Sequence, residues 1–212
     1  MENLSKNLGA VGLFVKNWMN SDFPSISIGA SVQEALSQMR KYKTDYCVTV
    51  DEEGRFAGLV YKSSIANADL EDSVGDYVSF PDFYVHEESY IEEAALTFRE
   101  SHESCLAVVD DEMRVKGVVT LTEVLEAFVA ITAMDEPGVR VLMVLQDKPG
   151  ELKKVLDVFA LNGVNVLSVN TIRRDGFRSL SIKVDASEPK QIEKLLKERG
   201  IEFTKLVKEE GF

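Results

Sequence analysis

The segment Thr120-Leu121-Thr122-Glu123 sets a hydroxyl and a carboxylate three residues apart, directly after the strand-like run Val115–Val119. At a helix start this spacing is a capping box: the threonine oxygen accepts one unpaired amide and the glutamate reaches back for another. Free amides at a helix start also form an anion site, so capping and ligand contact are compatible readings and both stay open. Two further clusters concentrate carboxylates, Asp51-Glu52-Glu53-Gly54 and Asp110-Asp111-Glu112-Met113. Paired carboxylates can do general acid–base work, yet each cluster joins two strand-like runs, and a polar turn suffices to explain it. His86 and His102 lie in no HExxH pattern and read as surface or turn residues. Cys47 and Cys105 have no CxxC or zinc-spaced histidine and read as reduced core thiols. Walker loop, GxGxxG and serine elbow are all absent. These residues supply no catalytic constellation and no metal site.

The elements that position these groups are duplicated. Sliding the chain by 59 residues aligns 15–65 with 74–124 without a gap. Glu34-Ala35 falls on Glu93-Ala94, Val50-Asp51 on Val109-Asp110, Arg55 on Arg114, Gly58 on Gly117 and Val60 on Val119. Each copy predicts a short extended piece (Ser25–Ile28, Tyr84–Val85) and then an amphipathic helix. Val32, Ala35, Leu36 and Met39 mark one helical face, as do Ile91, Ala94, Ala95 and Phe98. Two strands follow, Tyr46–Val50 with Phe56–Tyr61 and Cys105–Val109 with Val115–Thr120, and a second helix opens near Ser63 or Thr122. A unit of this size is marginal alone, so the two copies should pack on one another.

The last helix of the second copy runs to Met134, and Asp135-Glu136-Pro137-Gly138 breaks it. Beyond it the pattern is βαββαβ. A strand over Val139–Leu145 turns through Asp147-Lys148-Pro149-Gly150 into a helix carrying Leu152, Val155, Leu156 and Phe159, which Asn162-Gly163 ends. Val164–Arg174 is extended, Asp175-Gly176 signals a tight hairpin, and Leu180, Ile182 and Val184 alternate with Ser181 and Lys183. Pro189 and Gly200 bracket the second helix, and a last strand is expected over Ile201–Val207.

Composition narrows the function classes. The 212 residues are 45% hydrophobic and 28% charged, with a formal net charge of −12. Nucleic acid is bound mainly by neutralising lysine and arginine, so it is not an expected partner, and no run reaches the roughly 20 apolar residues of a membrane span. The apolar stretch Leu8–Val15 is short and reads as an N-terminal arm rather than a signal peptide, which places the chain in the cytoplasm.

The strand–turn–strand segments Val48–Val60 and Ala107–Val119 resemble those of the CBS domain. The resemblance implies a paired unit with an adenosine-containing ligand, such as AMP, ADP, ATP or S-adenosylmethionine, in its cleft. The family's closing Gly-h-h-Thr/Ser-x-x-Asp is Gly117-Val118-Val119-Thr120-Leu121-Thr122-Glu123 in the second copy, with glutamate for aspartate. In the first it is Gly58-Leu59-Val60-Tyr61-Lys62-Ser63-Ser64, which lacks both key residues. Carried over, the cleft residues are Thr120, Glu123 and Ala107 from one copy and Tyr61, Lys62, Ser64 and Val48 from the other. Val139 to about Val207 resembles an ACT domain through Asp147-x-Pro149-Gly150-x-Leu152 and Gly163-Val164-Asn165-Val166. That resemblance implies a small effector, often an amino acid, held by Asp147, Pro149, Gly150, Leu152 and Asn165. A purely conformational role, in which Pro149 starts the helix and Gly150 makes the turn, with the domain serving to dimerise, remains the alternative.

The expected organisation is an N-terminal arm at 1–14, CBS modules at 15–70 and 71–134, a linker at 135–138 and an ACT domain at 139–212. The fold class is α/β and α+β, two tandem CBS modules followed by a ferredoxin-like ACT domain. This arrangement resembles the acetoin utilization protein AcuB family, which implies a non-catalytic regulator tied to carbon metabolism. It also implies a homodimer that acts on an unidentified protein target, or serves as an adaptor with vestigial pockets.

Overall fold

The structure is a computed structural model that describes residues 13–78 and 83–211, so the expected N-terminal arm lies almost wholly outside the described residues. The chain divides between Ala127 and Phe128 into two compact units.

In the N-terminal unit the first copy consists of β1 (Ser25–Ser27), α1 (Val32–Tyr42), β2 (Tyr46–Val50) and β3 (Phe56–Tyr61). The second consists of β4 (Tyr84–His86), α2 (Ile91–Ser101), β5 (Cys105–Val109), β6 (Val115–Thr120) and α3 (Leu121–Ile131). Both sheets have one topology: β1 runs parallel and β3 antiparallel to β2, and β4 and β6 stand likewise to β5. Even the bulge recurs, at Thr49/Val50 and at Val108/Val109. Helix α1 begins with a capping box in which Ser31 Oγ accepts from the Glu34 amide and Glu34 Oε2 accepts from the Ser31 amide. Its Val32, Ala35 and Met39 pack against Cys47, Val60 and Ile65.

The copies join sheet to sheet. Val48, Phe56 and Leu59 of one pack against Cys105, Ala107, Val109 and Val118 of the other. Burying one such aliphatic side chain contributes about 1.5–3 kcal/mol, enough in sum to hold two modules that would be marginal apart. The turns also meet: the Phe56 amide donates to the Met113 carbonyl at 2.8 Å, beside a bridge between Arg55 and Arg114.

The segments leading into the two copies are exchanged. Val74, ahead of the second copy, is fully buried in the first, and its amide donates to the Ala30 carbonyl. Val15, its repeat partner ahead of the first copy, is fully buried too, and its amide donates to Ser89 in the second copy. Asn20 bridges Val118 beside Gly117, where the absent side chain leaves room for Met19.

The second helix expected near Ser63 does not form in the first copy. Residues 62–67 turn instead: the Ser64 amide donates to the Tyr61 carbonyl, and so does the Ser64 hydroxyl. Ser63, Ser64, Asn67 and Asp69 are residues whose side chains compete with helical backbone bonding, and no capping glutamate offsets them.

The C-terminal unit holds β7 (Gly138–Gln146), α4 (Glu151–Leu161), β8 (Val166–Arg174), β9 (Phe177–Val184), α5 (Pro189–Glu198) and β10 (Lys205–Glu209). Its antiparallel sheet has the order β10-β7-β9-β8. Val139, Val141, Met143, Leu180, Ile182 and Val184 pack against Val155 and Phe159 of α4 and Ile192 and Leu196 of α5. Asp175 and Gly176, with φ of 31° and 81°, close the β8–β9 hairpin as a two-residue loop requires. Gly163 (φ 68°) ends α4: its amide donates to Ala160 and that of Val164 to Phe159, a Schellman motif.

Two expectations here are corrected. Pro149 lies outside α4, because Gly150 in a left-handed conformation (φ 91°) is the cap and Glu151 the first helical residue. The last strand is Lys205–Glu209, not Ile201–Val207. Ile201 closes the Schellman motif of α5 through its amide to Leu196, and Ile201 and Phe203 pack onto the core instead of pairing with β7. Among the described residues no helix is long and apolar enough to cross a membrane.

Candidate functional site

Strand β6 delivers Thr120 to the first turn of α3, where the local sequence folds it into a cap. Glu123 Oε2 accepts from both the amide (2.7 Å) and the hydroxyl of Thr120, and Thr120 Oγ1 accepts from the Thr122 amide at 3.2 Å. The carboxylate is thereby turned back on its own helix start. Across the sheets, Tyr46 packs with the buried cluster that includes Cys105. Burial, and after it Cys105, raises the Tyr46 phenol above its ordinary value. The Tyr61 hydroxyl donates to the Glu103 carboxylate, and burial followed by that contact raises its pKa as well. Both phenols therefore stay protonated donors near neutral pH.

The other residues carried over to this site fare differently. Lys62 is exposed, 3.6 Å from Asp45, and lines a cavity of about 430 Å³ with Leu36, Met39, Arg40, Lys43 and Thr44. Ser64 is spent on its own turn. Val48 and Ala107 are fully buried between the two sheets; their side chains form core there rather than an open wall. The structure thus brings Thr120 and Glu123 together, sets Tyr61 and Lys62 at the end of β3, and seals Val48 and Ala107 inside. Tyr46 and Glu103 were not singled out from the sequence. The repeat held a signal for Tyr46, since the 59-residue offset pairs Tyr46 with Cys105 and Tyr61 with Thr120.

The acidic turns are structural. Asp51 Oδ1 accepts from the amides of Glu53 and Arg55, and Asp110 Oδ1 from those of Glu112 and Arg114. The Arg55 amide holds the Asp51 carboxyl below its ordinary value. Both cysteines are free and buried, and burial pushes each thiol up to about 12. Among the described residues no group of His, Cys, Asp and Glu could hold a metal ion.

In the C-terminal unit Asp147, Pro149, Gly150 and Leu152 gather around a cavity of about 310 Å³, together with Lys148, Thr171 and Arg178. Asp147 accepts from Arg178 Nε at 2.7 Å and pairs with Arg173 at 3.2 Å, while Arg178 Nη1 donates to Thr171. Asn165 is not among them. It precedes β8 at the far end from Thr171, exposed, and its backbone carbonyl accepts from the Asp185 amide. Six residues of extended chain separate it from Thr171, about 20 Å.

A second polar centre, on the sheet face away from α4 and α5, was not foreseen. Lys183 is fully buried there, donating to Glu209 at 2.8 Å and to the Ala133 carbonyl at 2.7 Å. Arg140 holds the same carboxylate through Nε and Nη2, at 2.6 and 2.9 Å, and donates from Nη1 to Ser181 Oγ at 3.1 Å. The Ser168 hydroxyl donates to Thr132, so the chain leading in from α3 is tied to the sheet at two carbonyls.

Comparison with known proteins agrees with this division. The CBS domain family model matches residues 15–71 and 74–130, and the ACT domain model matches 139–200. The chain is similar to a solved CBS domain pair/ACT domain protein from Thermotoga maritima, at 47% identity over 55% of this chain and 97% of that one, with a TM-score of 0.53. It is similar at 27% identity and TM-score 0.50 to the cytosolic domain of the Mg2+ channel MgtE in complex with ATP, over 54% of this chain and 48% of that chain. The magnesium transporter MgtE of Thermus thermophilus is 29% identical over 122 residues, 55% of this chain but 27% of the transporter. The match thus spans about a quarter of that curated relative's length.

Proposed function

Because the chain belongs to the CBS domain family, with two CBS modules followed by an ACT domain, we propose that it is a non-catalytic regulatory sensor of an adenosine-containing ligand. AMP, ADP, ATP or S-adenosylmethionine would sit in the CBS pair at Thr120 and Glu123, with Tyr61 and Lys62 contributing from the other copy. The observation that carries this reading is the likeness to a CBS-containing domain solved with ATP, together with a hydroxyl and an amide at the start of α3 that are held by the chain's own Glu123 carboxylate, an anion in the place a phosphate would take. Such a helix start receives phosphate once the Glu123 carboxylate swings away. The cavity at Asp147, Gly150 and Arg178 would take a second small effector, an amino acid being the class that suits paired charges. The protein would act as a cytoplasmic homodimer on a protein target in carbon metabolism, in keeping with its likeness to the acetoin utilization family.

A thermal-shift screen with the four nucleotides and the amino acids tests this, since a ligand at 100 times its Kd adds about 2.7 kcal/mol. Thr120→Ala should weaken nucleotide binding by more than it lowers the stability of the unliganded protein. The adaptor reading draws on two facts: Glu123 is occupied by its own cap, and Val48 and Ala107 are sealed in core. No shift with any ligand would favour it.

A further inference from the structure

Beside the buried Lys183–Glu209–Arg140 centre lies a cavity of about 640 Å³, lined by Thr132, Met134, Arg140, Asn170, Glu209 and Glu210 together with Gly211. Its volume is within the usual range for small-molecule sites, roughly 300–1,000 Å³. It is separate from the cavity at Asp147, with which it shares no lining residue. Two cations, Arg140 and Lys183, share the single carboxylate of Glu209. The Ala133 carbonyl, near the end of α3, offsets only part of the remaining positive charge. Glu210 is at the rim with its carboxylate paired to Lys208 at 3.3 Å.

Donors remain unused at the centre. A guanidinium carries five N–H groups, and Arg140 commits three, two to Glu209 and one to Ser181. One N–H is left on each terminal nitrogen. The Asn170 carboxamide on β8 makes no hydrogen bond to a described residue although it is half-buried. Met134 supplies an apolar wall. A buried excess of positive charge, two planar N–H groups and an amide beside an apolar surface are the complement of a carboxylate on a compact hydrocarbon body.

We propose that this cavity is a second effector site, for a small apolar monocarboxylate held by Arg140 and Asn170 with its body against Met134. It stands independently of nucleotide binding and of the effector site at Asp147. Titration calorimetry of the full chain with sodium 4-methylpentanoate, against the uncharged 4-methylpentanamide, reads it directly. The carboxylate should bind at one site per chain and the amide at least about tenfold more weakly, the loss of one charge-assisted bond. Asn170→Ala should weaken the carboxylate about five- to tenfold without moving the unfolding midpoint, since Asn170 has no bond to lose. Arg140→Lys, which keeps the positive charge but not the fork, should weaken the carboxylate while preserving part of its preference over the amide. No saturable heat up to about 10 mM carboxylate, or Asn170→Ala binding like the parent, would overturn the proposal. So would binding that survives Asn170→Ala and disappears in Arg178→Ala, which would place the probe at Asp147. Failure of every nucleotide would count against the CBS reading and leave this site untouched.

Discussion

Removing the Glu209 carboxylate should unfold the C-terminal unit selectively. Arg140, whose hydrogen bonds act first, and then Lys183 hold this carboxyl down to about 2 against the cost of burial. At about 1.36 kcal/mol per pH unit, the drop from 4.5 to about 2 corresponds to roughly 3 kcal/mol. Solvent screening of a carboxylate left 27% exposed reduces this to about 2 kcal/mol. Glu209→Ala also leaves Lys183 fully buried without a counter-charge, and breaking such a pair costs about 3–5 kcal/mol. For a unit of this size each kcal/mol lowers Tm by about 4–8 °C, so the C-terminal transition should fall by at least about 12 °C. Lys183→Met should cost less, because Arg140 still holds Glu209 and a methionine fills the space.

The assay has a built-in separation. The chain's one tryptophan, Trp18, lies in the N-terminal unit, so its fluorescence follows that unit while calorimetry sees both. The sign of the pH effect follows from the depressed pKa. The stabilisation is full above about 4.5 and is lost as pH falls toward 2, so the C-terminal transition should slide over that window and slide less in Glu209→Gln. A fall of under about 4 °C in Glu209→Ala, or an equal fall in the Trp18 signal, would refute the reasoning.

Three other outcomes are expected. Gly117→Ala would set a Cβ 2.9 Å from the Asn20 carbonyl and the Met19 sulfur; it should lower the Trp18-reported transition by about 1–3 kcal/mol, checked by urea titration. Cys47 and Cys105, buried with thiols raised to about 12, should react with a thiol reagent at pH 8 only at the rate of unfolding, measured with and without denaturant. Phe159→Ala empties a fully buried site between α4 and the sheet and should cost about 3–5 kcal/mol, seen in the calorimetric transition of the C-terminal unit alone.

The four strands of the two hairpins could be read from sequence to the residue, because Tyr46–Val50, Phe56–Tyr61 and their repeats are short β-branched runs ended by turns. The paired copies made each reading a check on the other. The first copy's second helix misled because apolar spacing was carried over by analogy, while Ser63, Ser64 and Asn67 decide locally for turns. Ile201 and Phe203 look like a strand start, yet their apolar groups serve the core and the ladder begins at Lys205. Alternation set Lys183 on the face away from the helices, but nothing local announces that residues 132–134 cover it there. Long-range covering of this kind leaves no mark in the spacing of nearby residues, and the Glu209–Arg140 centre went unseen for the same reason. The Thr120–Glu123 cap was visible because it is contained within four consecutive residues.

The exchange of lead segments also sets a schedule for synthesis. The first copy receives Val74 soon after its own last strand is made, whereas Val15 emerges early and must wait for Ser89 and its neighbours. At about 5–20 residues per second on the ribosome, that interval lasts roughly 4 to 15 s. Through it the apolar segment ahead of the first copy lacks the partner against which it is buried in the folded protein.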